Sequence, residues 1–144
     1  MTGAVVVDAS VAVKWLVKEQ GSDKALALNM LRLHAPSLLV AECALALWRK
    51  VRAGDLDALD AVTRLGALRH APLTFAADHE LAQTAMPLAL ELGHPIYDCM
   101  YIALALELAA PLVTADKKLA GIIRDHMAGR CTVIDLHDIE TTLS

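Results

Sequence analysis

Seventeen acidic residues punctuate this 144-residue chain, and four of them stand where a solvated carboxylate does not belong. Asp8 interrupts an apolar stretch between Val5-Val6-Val7 and Val11. Glu42 lies inside Leu38-Leu39-Val40-Ala41 and Cys43-Ala44-Leu45, Asp98 opens Cys99-Met100-Tyr101-Ile102, and Asp116 closes Leu112-Val113-Thr114-Ala115. An ionised carboxylate in such surroundings is costly unless it is paired or bound to a metal. No nearby basic residue pairs obviously with Glu42 or Asp98. Several carboxylates gathered together repel one another and force one pKa up. A divalent cation relieves both problems, and oxygen-only donors suit Mg²⁺ or Mn²⁺, which keep several waters and take one or two carboxylates plus a substrate phosphate. Such an ion activates water for in-line attack on phosphorus and stabilises the leaving group; two ions would stand about 3.5–4 Å apart. Taken singly, Asp8 also fits a strand-to-helix turn, and Asp98 and Asp116 fit helix N-caps. Glu42, inside an apolar helix, has no capping role to explain it. Together the four point to a site.

The elements that must position these acids follow from hydrophobic periodicity and turn chemistry. Ala4–Val7 is a β-branched run suited to a buried strand. Ser10 offers an N-cap for a helix through Trp15, Leu16 and Val17. Gly21-Ser22-Asp23 breaks the chain before a helix over about 24–34, and Pro36 marks a boundary. Ser37-Leu38-Leu39 fits a short strand or the lead-in to a helix over about 40–53, with Gly54 as its C-cap and Asp55 as the next N-cap. That next helix ends near His70, before a strand around Leu73-Thr74-Phe75. A helix follows from Asp78 to Leu92, then the Gly93-His94-Pro95 loop and an apolar helix over 98–109. A strand at 111–114, a helix over 117–127, a strand at 132–134 and a last short helix from Asp138 complete the chain. Short apolar strands alternating with helices imply an α/β domain with a parallel sheet. In such sheets sites form beyond the carboxyl ends of the strands, which is where Asp8 and Asp116 fall.

Length sets the prior at one domain spanning residues 1–144, able to bury roughly 70% of its unfolded surface. Hydrophobic residues are 56% of the chain and aromatics only 3%, so the core must be built from small aliphatic contacts, with some apolar surface reserved for a partner. The longest wholly apolar run, Cys99 to Leu106, is far short of the ~20 residues of a membrane span. No export signal is visible, which makes the cytoplasm the expected compartment. Three cysteines without a CxxC pair suggest reduced, mostly buried thiols and neither a disulfide framework nor a zinc site. A formal charge of −4 argues against a module that binds nucleic acid by charge neutralisation alone. It is compatible with a nuclease whose metal supplies positive charge locally.

Several segments resemble the PIN-domain family, particularly the VapC-type toxins of type II toxin–antitoxin pairs. They are Val7-Asp8-Ala9-Ser10-Val11-Ala12-Val13-Lys14-Trp15, Glu42 on a helix after Pro36-Ser37, Tyr97-Asp98-Cys99-Met100-Tyr101-Ile102-Ala103-Leu104-Ala105, and Leu112-Val113-Thr114-Ala115-Asp116-Lys117-Lys118-Leu119. Order and spacing agree over essentially the whole chain. The resemblance implies a single PIN-like domain with a parallel sheet of about five strands flanked by helices. It implies endonucleolytic cleavage of single-stranded RNA, typically tRNA or ribosomal RNA, with Mg²⁺ as cofactor and Mn²⁺ able to substitute. It also implies a homodimer silenced by a cognate antitoxin. On this reading Asp8, Glu42, Asp98 and Asp116 bind the metal, and Ser10 and Thr114 are hydroxyl supports to a carboxylate or a metal-bound water. Ala41 departs from the family, where an Asn often precedes the Glu. Lys118 stands where some relatives carry further acids, which bears on a second metal.

Arg49 lies two helical turns beyond Glu42 on nearly the same face, and is a candidate for contact with RNA phosphate or an antitoxin. Lys14 and Lys117, close in sequence to Asp8 and Asp116, are candidates of the same kind. Asp55, Asp57 and Asp60 lack the Gly and distal Glu of a calcium loop and suit a helix N-terminus at the surface. None of the six histidines is a clear catalytic base; His94, in its loop, comes nearest. Trp15 and Trp48 fit core or interface positions in amphipathic helices. A non-catalytic PIN-like interaction domain is the alternative. A phosphatase using Asp8 as nucleophile would want a second acid two residues on, where Ser10 stands.

Overall fold

In the first strand, Val5, Val6 and Val7 are all buried. Because successive strand residues point to opposite faces, such a strand must be covered on both sides, which is the condition of a parallel sheet packed between helices. The computed structural model, which describes residues 3–140, has that architecture. Five parallel strands, β1 (Ala4–Val7), β2 (Arg32–Pro36), β3 (Leu73–Ala76), β4 (Leu112–Thr114) and β5 (Val133–Asp135), are ordered β3-β2-β1-β4-β5. The chain winds outward from β1 through β2 to β3, then returns to the other side of β1 for β4 and β5. The β1/β4 seam is therefore the point where strand order reverses.

Seven helices connect and cover the sheet among the described residues: α1 (Ala9–Leu16), α2 (Ser22–Ala27), α3 (Leu38–Arg52), α4 (Ala58–Gly66), α5 (Asp78–Leu92), α6 (Ile96–Leu108) and α7 (Lys117–His126). Residues Cys99 to Ala105 of α6 are buried without interruption. That makes α6 a central helix, packed on β1, β2, β4 and α5. Gly93 ends α5 in the left-handed region (φ 61°), a conformation glycine adopts without strain, and so turns the chain into the loop that leads to α6. No helix among the described residues is long and apolar enough to cross a membrane.

Four sequence expectations need correction. The stretch expected to continue a helix to His34 is instead β2, preceded by a single 3-10 turn at Leu28–Met30. In β2, Leu33 and Ala35 are buried while Arg32 is exposed, and the small Ala35 and the polar Arg32 and His34 hide this alternation. Of the two readings of Ser37-Leu38-Leu39, the lead-in to a helix holds: α3 begins at Leu38 with Ser37 as its N-cap. The N-cap of α1 is Asp8 rather than Ser10, and that of α4 is Asp57 rather than Asp55; each carboxylate accepts amide N–H groups of its helix. The last helix is a single 3-10 turn over Leu136–Asp138, and the rest of the expected helix lies outside the described residues from 141 on.

Candidate active site

The sequence leaves each strand on an acid or a hydroxyl at the β1/β4 seam. β1 ends at Val7 and delivers Asp8; β4 ends at Thr114 and delivers Ala115 and Asp116. Carboxyl ends of parallel strands at such a reversal point leave a crevice where ligands bind.

Asp8 is 5% exposed and fully engaged. Ser10 Oγ donates to Oδ1 at 2.5 Å, Thr114 Oγ1 donates to Oδ2 at 2.6 Å, and the Val11 amide lies 3.4 Å from Oδ1. The two hydroxyls are themselves held by main chain: Ala115 N donates to Ser10 Oγ at 2.9 Å and Asp116 N to Thr114 Oγ1 at 3.0 Å. Each donor thus polarises the next, from backbone amide through hydroxyl to carboxylate. With both protons committed to Asp8, the 3.3 Å separation of the hydroxyls is packing rather than a third strong bond. Burial nevertheless dominates, pushing the Asp8 carboxyl from 3.8 up to about 6; the hydrogen bonds pull it back and nearby Asp98 adds to the rise.

Across the crevice, the half-buried Glu42 in α3 accepts a bond from the Tyr101 hydroxyl at 2.6 Å. Burial raises its pKa, the Tyr101 bond lowers it, and the charges of Asp98 and Asp78 raise it further. Asp98, in the first turn of α6, has Oδ2 2.7 Å from His94 Nε2, so an ionised Asp98 requires Nε2 to carry the proton. Asp78 accepts from the Leu38 amide at 2.9 Å and so caps α3, whose own N-cap Ser37 makes no side-chain cap bond. Asp98 therefore lies within electrostatic reach of both Asp8 and Glu42. Among the described residues no lysine or arginine ion-pairs with any of the four acids.

Asp116 is exposed beside the seam, joined to Asp8 through its own amide and Thr114. Its Oδ1 accepts the Lys118 and Leu119 amides at 2.9 and 3.3 Å, capping α7. As arranged, no three His, Cys, Asp or Glu side chains among the described residues stand close enough to enclose a cation. The chemistry of the donor set still fits one. It is all oxygen, Asp98 repels both Asp8 and Glu42, and among the described residues His94 is its one basic partner, so a divalent cation would relieve the repulsion.

Lys14 is turned away from Asp8, its amine 2.7 Å from the Gln20 carbonyl and 3.4 Å from Glu19. Arg49 and Lys117 are exposed. Three residues that sequence reasoning did not assign to the site belong to it: Tyr101 and His94 by contact with Glu42 and Asp98, and Asp78 through its charge on Glu42. Tyr101 stands three residues after Asp98, a spacing that shares a helix face, and this was the available signal for it. His94 stands four before Asp98. Nothing local marks Asp78, because its partner is 40 residues away. Beside Glu42 opens a groove of about 670 Å³ between α3, α5 and α6, lined by Leu38, Leu45, Asp78, Tyr97 and Met100 among others. The thiols play no part: all three cysteines are free, and burial pushes Cys43 to about 12 and Cys99 to about 11. Trp15 donates to the Ala25 carbonyl at 2.8 Å, while Trp48 is 56% exposed with Arg52 over its ring.

Comparison with known proteins adds an independent line. A sequence model of the PIN domain matches residues 5–124. Ribonuclease VapC3 of Pyrobaculum aerophilum is 33% identical over 120 residues, which is 81% of this chain and 92% of that protein. Among solved structures, PAE2754 from Pyrobaculum aerophilum superposes with a TM-score of 0.69 at 24% identity, covering 95% of this chain and 92% of that one. Mycobacterium tuberculosis VapC20, described as a Sarcin-Ricin loop cleaving toxin, gives 0.60 at 15% identity over 81% of this chain and 93% of its own. FitAcB from Neisseria gonorrhoeae also gives 0.60 at 15%, over 94% and 99%. These structural likenesses concern the fold.

Proposed function

The chain belongs to the PIN domain family, and from that premise we propose that it is a divalent-metal-dependent endoribonuclease, the toxin of a toxin–antitoxin pair. The observation that carries the chemistry is the placing of Asp98 within electrostatic reach of both Asp8 and Glu42, with carboxyl pKa values raised at Asp8 and Glu42 and, among the described residues, no lysine or arginine ion-paired with them. The relationship to Ribonuclease VapC3 supports RNA as the substrate.

In this reading Asp8, Glu42, Asp98 and Asp116 hold Mg²⁺, for which Mn²⁺ substitutes. The ion supplies a water of lowered pKa and charge stabilisation on the phosphoryl oxygens. Asp8 is the fixed donor, since Ser10 and Thr114 lock both of its oxygens to the main chain. His94 orients Asp98, and Asp116 contributes from the rim while its Oδ1 caps α7. Arg49 and Lys117 are placed to meet RNA phosphates or an antitoxin, whereas Lys14 serves the loop around Glu19. The single-stranded target is a tRNA or ribosomal RNA. A second copy of the chain and an antitoxin cover exposed apolar residues such as Trp48, Leu59 and Val62, which are 56%, 79% and 73% exposed.

The test is incubation of the purified protein with single-stranded RNA and with DNA of the same sequence, in Mg²⁺, in Mn²⁺ and in EDTA. RNA cleavage that needs the metal and disappears in Asp8→Asn is expected. Cleavage that persists in EDTA or in that variant overturns the mechanism. No cleavage, no metal uptake and no growth arrest on expression would leave the interaction-domain alternative.

A further inference from the structure

We propose that Tyr101 is a positioning residue, whose hydroxyl holds Glu42 Oε1 so that the carboxylate presents its other oxygen to the cation. This rests on the reading of Glu42 as a metal ligand. The hydroxyl lies 2.6 Å from Oε1. The Tyr101 ring is 1% exposed and fixed in the core, so the donor cannot swing away without repacking α6. Glu42 by contrast is half-buried on a flexible side chain, and ordering such a chain costs rotamer freedom. A donor already in place removes part of that cost before the metal arrives.

The sequence makes the arrangement economical. Asp98 and Tyr101 are three residues apart on α6 and share a face, so one helix supplies one carboxylate and orients another that belongs to α3. The Tyr101 hydroxyl is the donor and the Glu42 carboxylate oxygen the acceptor of this bond. A buried tyrosine hydroxyl needs some partner in any case. The competing explanation is that Glu42 merely satisfies Tyr101, and the experiment must separate these two directions of dependence.

Calorimetric titration with Mn²⁺ of the wild type, Tyr101→Phe, Glu42→Gln and the double variant does so. Tyr101→Phe keeps the ring and loses one oxygen. Its Mn²⁺ affinity should fall by about 10–100-fold, with the rate of RNA cleavage partly recovered at excess Mn²⁺ and KM for RNA unchanged. In the Glu42→Gln background the same substitution should cost nothing further, because Tyr101 acts only through Glu42. Wild-type affinity in Tyr101→Phe, or an undiminished loss in the Glu42→Gln background, overturns the proposal. A second measurement does not depend on the variant folding. With 3-fluorotyrosine at Tyr97 and Tyr101, and Tyr97→Phe to assign the signals, the Tyr101 fluorine resonance should shift on adding Mg²⁺; an unmoved signal overturns the proposal. If the wild type takes up no Mn²⁺ at all, the metal-dependent function itself falls.

Discussion

The two sides of the crevice are built differently. On the β1/β4 side, Asp8 is gripped through Ser10 and Thr114 by the amides of residues 115 and 116, so strand ends and main chain fix it. On the α3/α6 side, Glu42 and Asp98 are held by single side-chain partners, Tyr101 and His94. The first side is rigid because its supports run back to main-chain amides; on the second, the supports are buried but Glu42 and Asp98 are only partly buried, so these carboxylates can adjust. A cation site benefits from both, with a fixed donor to define position and adjustable donors to complete coordination.

The largest effect should come from the rigid side. Asp8→Asn removes the charge on which the site converges, and cleavage should fall by about 10³-fold or more, some 4 kcal/mol at ~1.4 kcal/mol per decade; a gel assay with single-stranded RNA reads it. Thr114→Val is next. It breaks one arm of the Asp8 grip and leaves the Asp116 amide without its acceptor, so activity should drop about 10–100-fold and stability by about 1–3 kcal/mol, read by denaturant unfolding. His94→Gln, on the adjustable side, keeps much of the bulk of a buried side chain and should lower metal affinity with a stability loss of no more than about 1 kcal/mol. Equal destabilisation by Thr114→Val and His94→Gln would erase the distinction between the two sides.

The pH dependence sharpens the same contrast. Asp8 titrates at about 6 in the folded protein against 3.8 ordinarily, so the folded state binds its proton more tightly than the unfolded one. Its contribution to stability is fully present below about pH 3.8 and is lost as pH rises through about 6, on the order of 3 kcal/mol in all. Metal-free protein should therefore gain stability from this group between pH 7 and 5, and Asp8→Asn should flatten that slope. Glu42 acts in the same direction. Mg²⁺ should do the opposite, stabilising at pH 7.5 and losing its effect toward pH 5 as protons displace it. Thermal melts across pH with and without Mg²⁺ measure both. The smallest effect belongs to the rim: Lys117→Ala should weaken RNA binding less than tenfold while reducing the slope of log K against log salt by about 0.7.

Much of this architecture is legible in the chain because buried strands and exposed turns leave strong signals. Ala4–Val7 and Leu112–Thr114 are apolar runs closed by acids, and the acids mark the carboxyl ends of both strands. β2 escaped because Arg32 and His34 mask its buried Leu33 and Ala35. The identities of Asp8, Glu42, Asp98 and Asp116 stand out as charges in apolar surroundings, and the hydroxyls Ser10 and Thr114 sit within two residues of Asp8 and Asp116. What holds Glu42 is not legible at all: the Tyr101 contact spans 59 residues, and only the tertiary fold that brings α6 near α3 creates it. Nor does the sequence disclose that Lys14 turns toward Glu19, since that depends on how the loop after α1 folds back.

The most direct test of the cation site is a crystal of the protein soaked in Mn²⁺, with anomalous scattering used to locate the metal. The account predicts a peak at the β1/β4 seam, with Asp8 and at least one of Glu42, Asp98 and Asp116 at oxygen–metal bonding distance. A peak elsewhere, or none at Mn²⁺ concentrations that support cleavage, would contradict it.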